Sequence, residues 1–455
     1  MVLNPQRVFF SGVGGSGMSA IACFIADKGH MVAGSDRAFD QNPGHPVYGL
    51  LRSKGISIVP QDGSGIDSSF DLAVFSTAVE PNQPEVIRAK SLGIPMKTRP
   101  EYLADIARAF RTIAVAGTSG KSTTAGMLAF LMERLGMKPN FIGGGRVKQF
   151  MTAQNPGNSL SGDSDLFVME ACESDGAIVN YMPVHSILLN LDLDHHPVEK
   201  TAGMFSALIK NTPGMVIVNE DDRNLKGLVP GEAIRFSAEH PSDFSAEDIV
   251  QKDLSIEFSV RSARFTLSIP GKHNLYNALP CIAFLHEMGV PLKDISFHLR
   301  EFEGIERRFD IHLNNGKYLV IDDYAHNPHK ISSLMETMKY LREAVCYIFQ
   351  PHGFAPTRTM KKEYIETFVH NLRNSDHLIL LPIFYAGGTV SKDIASQDLA
   401  KEIRSMGKSA EVVERRKSIL DRMGEWDTCV IFGARDETLS DFAKRCAQAL
   451  RARGT

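Results

Sequence analysis

The chain has 455 residues, 50 of them Lys or Arg and 53 Asp or Glu, for a formal charge of −3. At roughly 150 residues per domain this length implies about three domains and excludes a single small one, and the balanced charge leaves no basic excess to favour nucleic acid or an anionic membrane. A hydrophobic share of 43% with 23% charged residues excludes a disordered or fibrous chain.

In chain order, the first hundred residues alternate strand and helix. Val8 to Phe10 is an apolar strand, a glycine-rich turn follows, Met18 to Lys28 is a helix, and a second strand from Met31 ends near Asp36. Strands at Ile56 to Val59 and Leu72 to Ser76, the connector Lys97 to Pro100 and a short helix ending near Phe110 complete a first domain, residues 1–108. A second domain, 109–312, opens with the strand Thr112 to Ala116, the turn Gly117 to Gly120 and a helix from Lys121 to Leu135. Met127, Leu128, Leu131, Met132 and Leu135 form its apolar stripe. Strands are expected at Leu166 to Met169, Ser186 to Asn190 and Met215 to Asn219. The polar stretch Gln149 to Asp165 is expected as a loop, and residues 232–270 as antiparallel strands. A third domain, 313–455, runs strand Tyr318 to Asp322, helix His329 to Arg342, strand Val345 to Phe349, helix Arg358 to Arg373 and strand His377 to Pro382. It closes with helices near Gln397 and Ile419, the strand Thr428 to Phe432 and a helix from Ser440. That alternation implies a mostly parallel, doubly wound sheet.

Six scattered cysteines, Cys23, Cys172, Cys281, Cys346, Cys429 and Cys446, contain no C-x-x-C pair, so neither a zinc site nor a disulfide framework is expected. The first residues lack the basic and apolar regions of a signal peptide, and no apolar run approaches the roughly 18 to 20 residues of a membrane span. A cytoplasmic protein is expected.

Two turns carry chemistry. Gly12-Val13-Gly14-Gly15-Ser16-Gly17 lies between a strand and a helix, with Asp36 19 residues beyond its last glycine. Small residues there let backbone amides and a helix N-terminus approach a diphosphate, whether of a dinucleotide or of a nucleotide sugar. The more specific turn is Gly117-Thr118-Ser119-Gly120-Lys121-Ser122-Thr123, again between strand and helix. Its amides can cradle ATP phosphates, Lys121 can neutralise their outer oxygens, and the Ser122 or Thr123 hydroxyl can ligate Mg²⁺. Residue 115 is Val, so this is a shorter form of the usual phosphate-binding loop. Two acidic clusters follow later strands, Glu170 to Asp175 and Asn190 to His196. Hard oxygen ligands suit Mg²⁺, which singles out Glu173, while His195 could equally cap a helix or bind substrate.

These turns, together with Gly271-Lys272-His273-Asn274-Leu275-Tyr276-Asn277-Ala278, Arg307-Arg308-Phe309 and Asp322-Asp323-Tyr324-Ala325-His326-Asn327-Pro328, resemble the Mur ligases along the whole chain. The resemblance implies an α/β fold of three domains: an N-terminal Rossmann-like domain for a uridine nucleotide, a central P-loop ATPase and a C-terminal Rossmann-like doubly wound sheet. It implies ATP and Mg²⁺ as cofactors and UDP-N-acetylmuramate with an amino acid or peptide amine as partners. Neither nucleic acid nor membrane is expected, and the chain would act as a monomer or homodimer. The amine would be L-alanine, with L-Ala-γ-D-Glu-meso-diaminopimelate as the alternative. Gly14, Gly15, Ser16, Gly17 and Asp36 would hold the uridine nucleotide, with Ser76 and Thr77 nearby. Gly117, Thr118, Ser119, Gly120, Lys121, Ser122 and Thr123 would hold ATP phosphates, Asn274 and Asn277 would lie near adenine, and Arg308 and Asp323 would meet the nucleotide. Ser122, Glu173 and His195 would ligate magnesium. Lys121, Glu173, His195, Arg308, His326 and His352 form the implied catalytic set, and His352 also belongs to the substrate side.

Departures concentrate on that acceptor side. Gly353 follows Phe349-Gln350-Pro351-His352 where the family has arginine, and Ala325 and Asn327 replace glycine and histidine. Arg358 could supply the missing cation. An oxidoreductase would account for the first glycine turn but leaves the second unexplained, and a nucleotide-dependent switch would bind ATP without needing a UDP-sugar.

Overall fold

The computed structural model describes residues 6–42, 44–193, 196–385 and 390–453. Asp194 and His195 lie outside them. The chain is built on three mainly parallel sheets and one small antiparallel one, arranged in two compact units.

The first unit holds the residues up to Ser268 together with His273–Glu303. Its first sheet has five parallel strands in the spatial order Ser57–Ile58, Met31–Ser35, Arg7–Ser11, Leu72–Phe75, Met96–Thr98. The strand Met96–Thr98 falls where the sequence suggested a connector, and Arg99 begins the helix Arg99–Arg108. A second sheet runs Phe244–Ser245, Ile234–Ser237, Val216–Asn219, His185–Leu188, Arg111–Ala116, Leu166–Glu170, Asn140–Ile142, Ser159–Leu160. Every pairing in it is parallel except the last.

Two expectations are corrected here. Residues 149–165 are not purely loop: Ser159–Leu160 pairs antiparallel with Asn140–Ile142 and closes the sheet edge. A two-residue strand is too short to leave a periodic signal. Within 232–270 only Glu247–Lys252, Ser255–Val260 and Ala263–Leu267 form the antiparallel sheet, whereas Ile234–Ser237 and Phe244–Ser245 extend the parallel one. Alternation marks a strand but does not choose its partner.

The first two sheets share a continuous apolar core. Phe24, on the helix Ser16–Asp27, packs 5.7 Å from the ring of Phe167 in the second sheet, and Phe110 sits 5.5 Å from Phe167. Burying each such ring contributes roughly 1.5–3 kcal/mol, so the two layers are held together by hydrophobic burial.

The second unit comprises Ile269–Lys272 and the chain from Gly304 onward. Its sheet runs Asp310–Asn314, Leu319–Asp323, Thr428–Phe432, Cys346–Phe349, His377–Leu380, Ala410–Val412, parallel apart from the first pair. The expected long helix after Phe349 is two helices, Phe354–Thr359 and Lys361–Asn371. Arg358 therefore lies near the end of the first and does not start a helix. All six cysteines are free, and all but Cys172 are buried. Among the described residues no helix is long and apolar enough to cross a membrane.

Candidate active site

In each of the three parallel sheets the functional turns follow the carboxyl ends of adjacent strands, where open α/β sheets bind ligands. In the first sheet the strand Arg7–Ser11 is central, and its neighbours are Met31–Ser35 and Leu72–Phe75. The glycine turn after Ser11 is therefore flanked by Asp36 and Ser76. Gly14 N donates to Asp36 Oδ2 at 2.8 Å, and Ala38 N to Asp36 Oδ1 at 2.9 Å. Gly12 N and Val13 N both donate to the Ser35 carbonyl, at 2.8 and 3.1 Å. Gly12 has φ +84°, and a Cβ there would stand 2.9 Å from Ser76 Cβ, so only glycine fits. Gly15 and Ser16 are exposed at the start of the helix Ser16–Asp27, as is Thr77 beside Ser76. The structure thus gathers Gly14, Gly15, Ser16, Gly17, Asp36, Ser76 and Thr77 around one helix N-terminus, which is suited to an anion.

The second sheet repeats the device. Arg111–Ala116 lies between His185–Leu188 and Leu166–Glu170, so the loop Gly117–Gly120 is flanked by Asn190 on one side and Glu170 and Glu173 on the other. Asn190 braces the loop: Oδ1 accepts from Thr118 Oγ1 and Ser119 N, each at 2.8 Å, and Nδ2 donates to the Ser119 carbonyl at 3.1 Å. Gly120 has φ +84° and caps the helix Lys121–Arg134. A Cβ on Gly120 would fall 2.3 Å from Asn277 Oδ1. Asn277, buried on the helix Lys272–Glu287, accepts from Thr124 Oγ1 at 3.3 Å and donates to Asn274 Oδ1 at 3.2 Å. In this structure the Asn274–Asn277 pair supports the loop from behind.

Lys121 Nζ donates to Glu173 Oε2 at 2.9 Å and Oε1 at 3.2 Å, and to the Gly117 carbonyl. Both side chains are buried, at 10% and 1% exposure. Burial opposes the ammonium charge most strongly, but Glu173, Cys172 and Glu170 together outweigh it, so Lys121 titrates above the usual lysine range. Ser122 Oγ donates to Glu170 Oε2 at 3.0 Å, which also accepts from Gly144 N at 2.8 Å. Ser122, Glu170 and Glu173 present only hard oxygen donors around one helix N-terminus, which is the donor chemistry Mg²⁺ requires. Glu170 and Asn190 lie within the acidic clusters of the sequence, but their roles are not legible there, because their partners are set by sheet order.

In the second unit, Leu319–Asp323, Thr428–Phe432 and Cys346–Phe349 are adjacent. Arg307, with φ +58°, is buried and structural: its guanidinium donates to the carbonyls of Gly433 at 2.7 Å and Asp436 at 3.2 Å. Arg308, half-buried, lies over the Tyr324 ring with Cζ 4.8 Å from its centroid. Asp323 accepts from Phe309 N at 2.7 Å and Ala325 N at 2.6 Å, and burial raises its carboxyl despite Arg308. His326 and His352 meet with ring centroids 5.3 Å apart. Burial pushes His326 down to about 3, so its neutral ring donates Nδ1–H to the Tyr324 carbonyl at 2.9 Å. Burial also lowers His352, whose buried Nδ1 has no partner among the described residues. Arg358 is engaged elsewhere: Nε donates to Asp393 Oδ1 at 2.9 Å and Nη2 to the Ser391 carbonyl at 3.0 Å.

Two parallel sheets with glycine turns at their carboxyl ends, one bearing a buried lysine–glutamate pair, and a third sheet whose strand ends gather Arg308, Asp323 and two histidines fit the class of ATP-dependent multidomain ligases. Comparison with known proteins agrees with this. Residues 7–111 match the family described as Mur ligase family, catalytic domain; 115–285 match the Mur ligase middle domain; 307–435 match the Mur ligase, glutamate ligase domain. The chain belongs to the Mur ligase family, and it is an ATP-dependent, ADP-forming carbon–nitrogen ligase of the peptidoglycan-building kind. It is 32% identical to the UDP-N-acetylmuramate–L-alanine ligase of Persephonella marina over 98% of this chain and 99% of that one. It is 31% identical to the ligase of the same name from a Sulfurihydrogenibium species, over 90% and 89%. Among solved structures it is similar to the UDP-N-acetylmuramate–alanine ligase of Thermotoga maritima, with a TM-score of 0.82, 26% identity and coverage of 98% and 100%. A murein peptide ligase from Psychrobacter arcticus, at 22% identity and a TM-score of 0.70 over 98% of each chain, shares the fold.

Proposed function

We propose that this protein joins the carboxylate of UDP-N-acetylmuramate to the amine of L-alanine, in the cytoplasm where both that nucleotide and ATP are found. The observation that carries this reading is the end-to-end match, at 32% identity, to a relative named for that reaction. The work divides among residues 1–108, 109–312 and 313–455, and the chain acts as a monomer or homodimer.

Amide formation needs a leaving group on the carboxylate. A carboxylate oxygen attacks the γ-phosphorus of ATP, ADP departs, and the acyl phosphate formed is attacked by the amine, which expels phosphate. The chain's task is positioning and charge stabilisation. Gly14, Gly15, Ser16 and Gly17 hold the diphosphate of the sugar nucleotide on their helix N-terminus, beside Asp36, Ser76 and Thr77. Gly117 to Gly120 and Thr123 cradle the ATP phosphates, and Lys121 exchanges part of its contact with Glu173 for the γ-phosphoryl oxygens. Ser122 and Glu173, with Glu170 behind Ser122 and with His195 outside the described residues, would hold Mg²⁺. That ion supplies further neutralisation of phosphate charge. Arg308 and Asp323 meet the nucleotide, and His326 and His352 belong to the acceptor side, which Arg358 reaches only by giving up its contact with Asp393.

A second reading is transfer to L-Ala-γ-D-Glu-meso-diaminopimelate, since Gly353, Ala325 and Asn327 depart from the alanine-ligase pattern at the acceptor turns without naming another amine. The test is ATP-dependent phosphate release with UDP-N-acetylmuramate across single amino acids and that tripeptide, with the product identified by mass. Release with L-alanine supports the proposal, and release with the tripeptide alone transfers the assignment. An absence of UDP-sugar-dependent turnover with every amine overturns both.

A further inference from the structure

Arg99 belongs to none of the sites above, yet it touches two of them. It opens the helix Arg99–Arg108 directly after the edge strand Met96–Thr98. Its backbone is held by a capping box in which Thr98 N and Oγ1 donate to Glu101 Oε2 at 2.7 and 2.8 Å. From there the side chain crosses to the first turn of the helix Ser16–Asp27. A Cβ on Gly17 would stand 3.2 Å from Arg99 Cδ and 3.3 Å from Nη1, so the arginine lies directly over the Cα of Gly17. At its other end Nη2 donates to Asp175 Oδ2 at 2.8 Å. Asp175 Oδ1 accepts from Ala177 N at 3.1 Å, and Gly176 N donates to the Glu173 carbonyl at 3.0 Å. Contacts therefore run without a gap from Gly17 through Arg99, Asp175 and the 173–177 turn to Glu173 and Lys121.

The side chains of Arg99 and Asp175 are 25% and 16% exposed, so solvent screens the pair less than a surface one. An arginine beside a helix N-terminus adds to the positive potential an anion meets there. Asp175 draws the same guanidinium towards the turn that carries Glu173. A diphosphate at Gly14 to Gly17 competes with Asp175 for Arg99, and any shift of Asp175 is felt in that turn. The geometry points to Arg99 as a positioning residue that, through Asp175, couples the sugar-nucleotide site to the ATP site. This rests on the proposed seating of the diphosphate on the glycine turn.

Such coupling is reciprocal: each ligand changes the other's affinity by one common factor. The test uses the full chain and titration calorimetry. Kd for UDP-N-acetylmuramate is measured with and without Mg²⁺ and a non-hydrolysable ATP analogue, and Kd for the analogue with and without UDP-N-acetylmuramate. The variants are Arg99→Gln, Arg99→Lys, Asp175→Asn and the double variant Arg99→Gln/Asp175→Asn. The expected result is a factor of about fivefold or more in the native protein, equal in both directions. It falls towards one in Arg99→Gln and Asp175→Asn, falls no further in the double variant, and persists in part in Arg99→Lys. A native factor of one overturns the coupling. So does an Arg99→Gln variant that loses affinity for UDP-N-acetylmuramate while keeping the full factor, since Arg99 would then be a ligand contact only. Native protein that binds the ATP analogue but no UDP-N-acetylmuramate overturns the substrate reading itself, and the coupling with it.

Discussion

Lys121 and Glu173 form a buried pair whose members depend on each other. Replacing Lys121 with Ala leaves the Glu173 carboxylate, 1% exposed, without its counter-charge. Removing one partner of a buried pair costs about 3–5 kcal/mol, so Lys121→Ala should lower the urea midpoint of the first unit by a corresponding amount. Its turnover should fall by about 10²- to 10³-fold, the cost of removing one preorganised charge-stabilising donor. An unfolding midpoint equal to that of the native chain would show that the pair carries no stability. Gly120 gives a second residue-scale expectation. Alanine there must adopt φ +84° and meets Asn277 Oδ1 at 2.3 Å, so Gly120→Ala should weaken ATP-analogue binding about tenfold or more, matching the roughly 1–2 kcal/mol of left-handed strain alone. In the double variant Gly120→Ala/Asn277→Ala the clash is relieved and the strain remains. Calorimetric titration should therefore show partial recovery.

At the scale of elements, two buried titrating groups set pH dependence in opposite senses. Glu85 enters on the helix Pro84–Ser91, which covers one face of the first sheet through Val86 and Ala89. It is fully buried, accepts from Ser35 Oγ at 3.0 Å, and its second oxygen has no partner among the described residues. Burial raises its carboxyl above the usual glutamate range. The folded state therefore holds the proton longer than the unfolded chain, and this group's contribution to stability is lost as pH rises through its folded pKa. Glu85→Gln removes that titration. The Tm of Glu85→Gln relative to the native chain should therefore be higher at pH 8 than at pH 4.5, and a difference constant with pH would refute this. His326 has the opposite sign. Its folded value of about 3 lies below the ordinary 6.5, so the unfolded chain binds the proton first, and stability is lost as pH falls between those values. His326→Gln should flatten the acid limb of the second unit's stability profile over that range, measured by denaturant titration at successive pH values.

The same elements show how far local sequence reaches. The strand, glycine turn and helix at Arg7–Asp27 and at Arg111–Arg134 were readable because strand, turn and cap signals lie within a few residues of one another. The strand Ser159–Leu160 and the parallel pairing of Ile234–Ser237 were not, because each exists only through a partner strand elsewhere in the chain. Arg358 was readable as an available cation, but Asp393, 35 residues away, takes up its guanidinium.

The molecule as a whole divides into two units with separate apolar clusters: the first unit holds one continuous across the first two sheets and another around Phe9, Phe70 and Val86, and the second unit one around Ile348, Ile431 and Phe442. Separate cores melt separately unless a large apolar interface links them. Scanning calorimetry should show two transitions. Mg²⁺ with a non-hydrolysable ATP analogue should raise the transition of the unit that carries Lys121, by mass action on its folded state. A single transition would mean that the two units unfold together. What the sequence by itself determined was the chemistry at each strand end: glycines, hydroxyls, a lysine and carboxylates placed after apolar runs, because these signals are local and set by backbone sterics and side-chain type. Only the tertiary structure decided which of those ends stand side by side. Asp36 and Ser76 flank the first turn, Asn190 and Glu173 flank the second, and Arg99 reaches Asp175, because strand order in a parallel sheet is settled by long-range packing and crossover connections, which no stretch of neighbouring residues encodes.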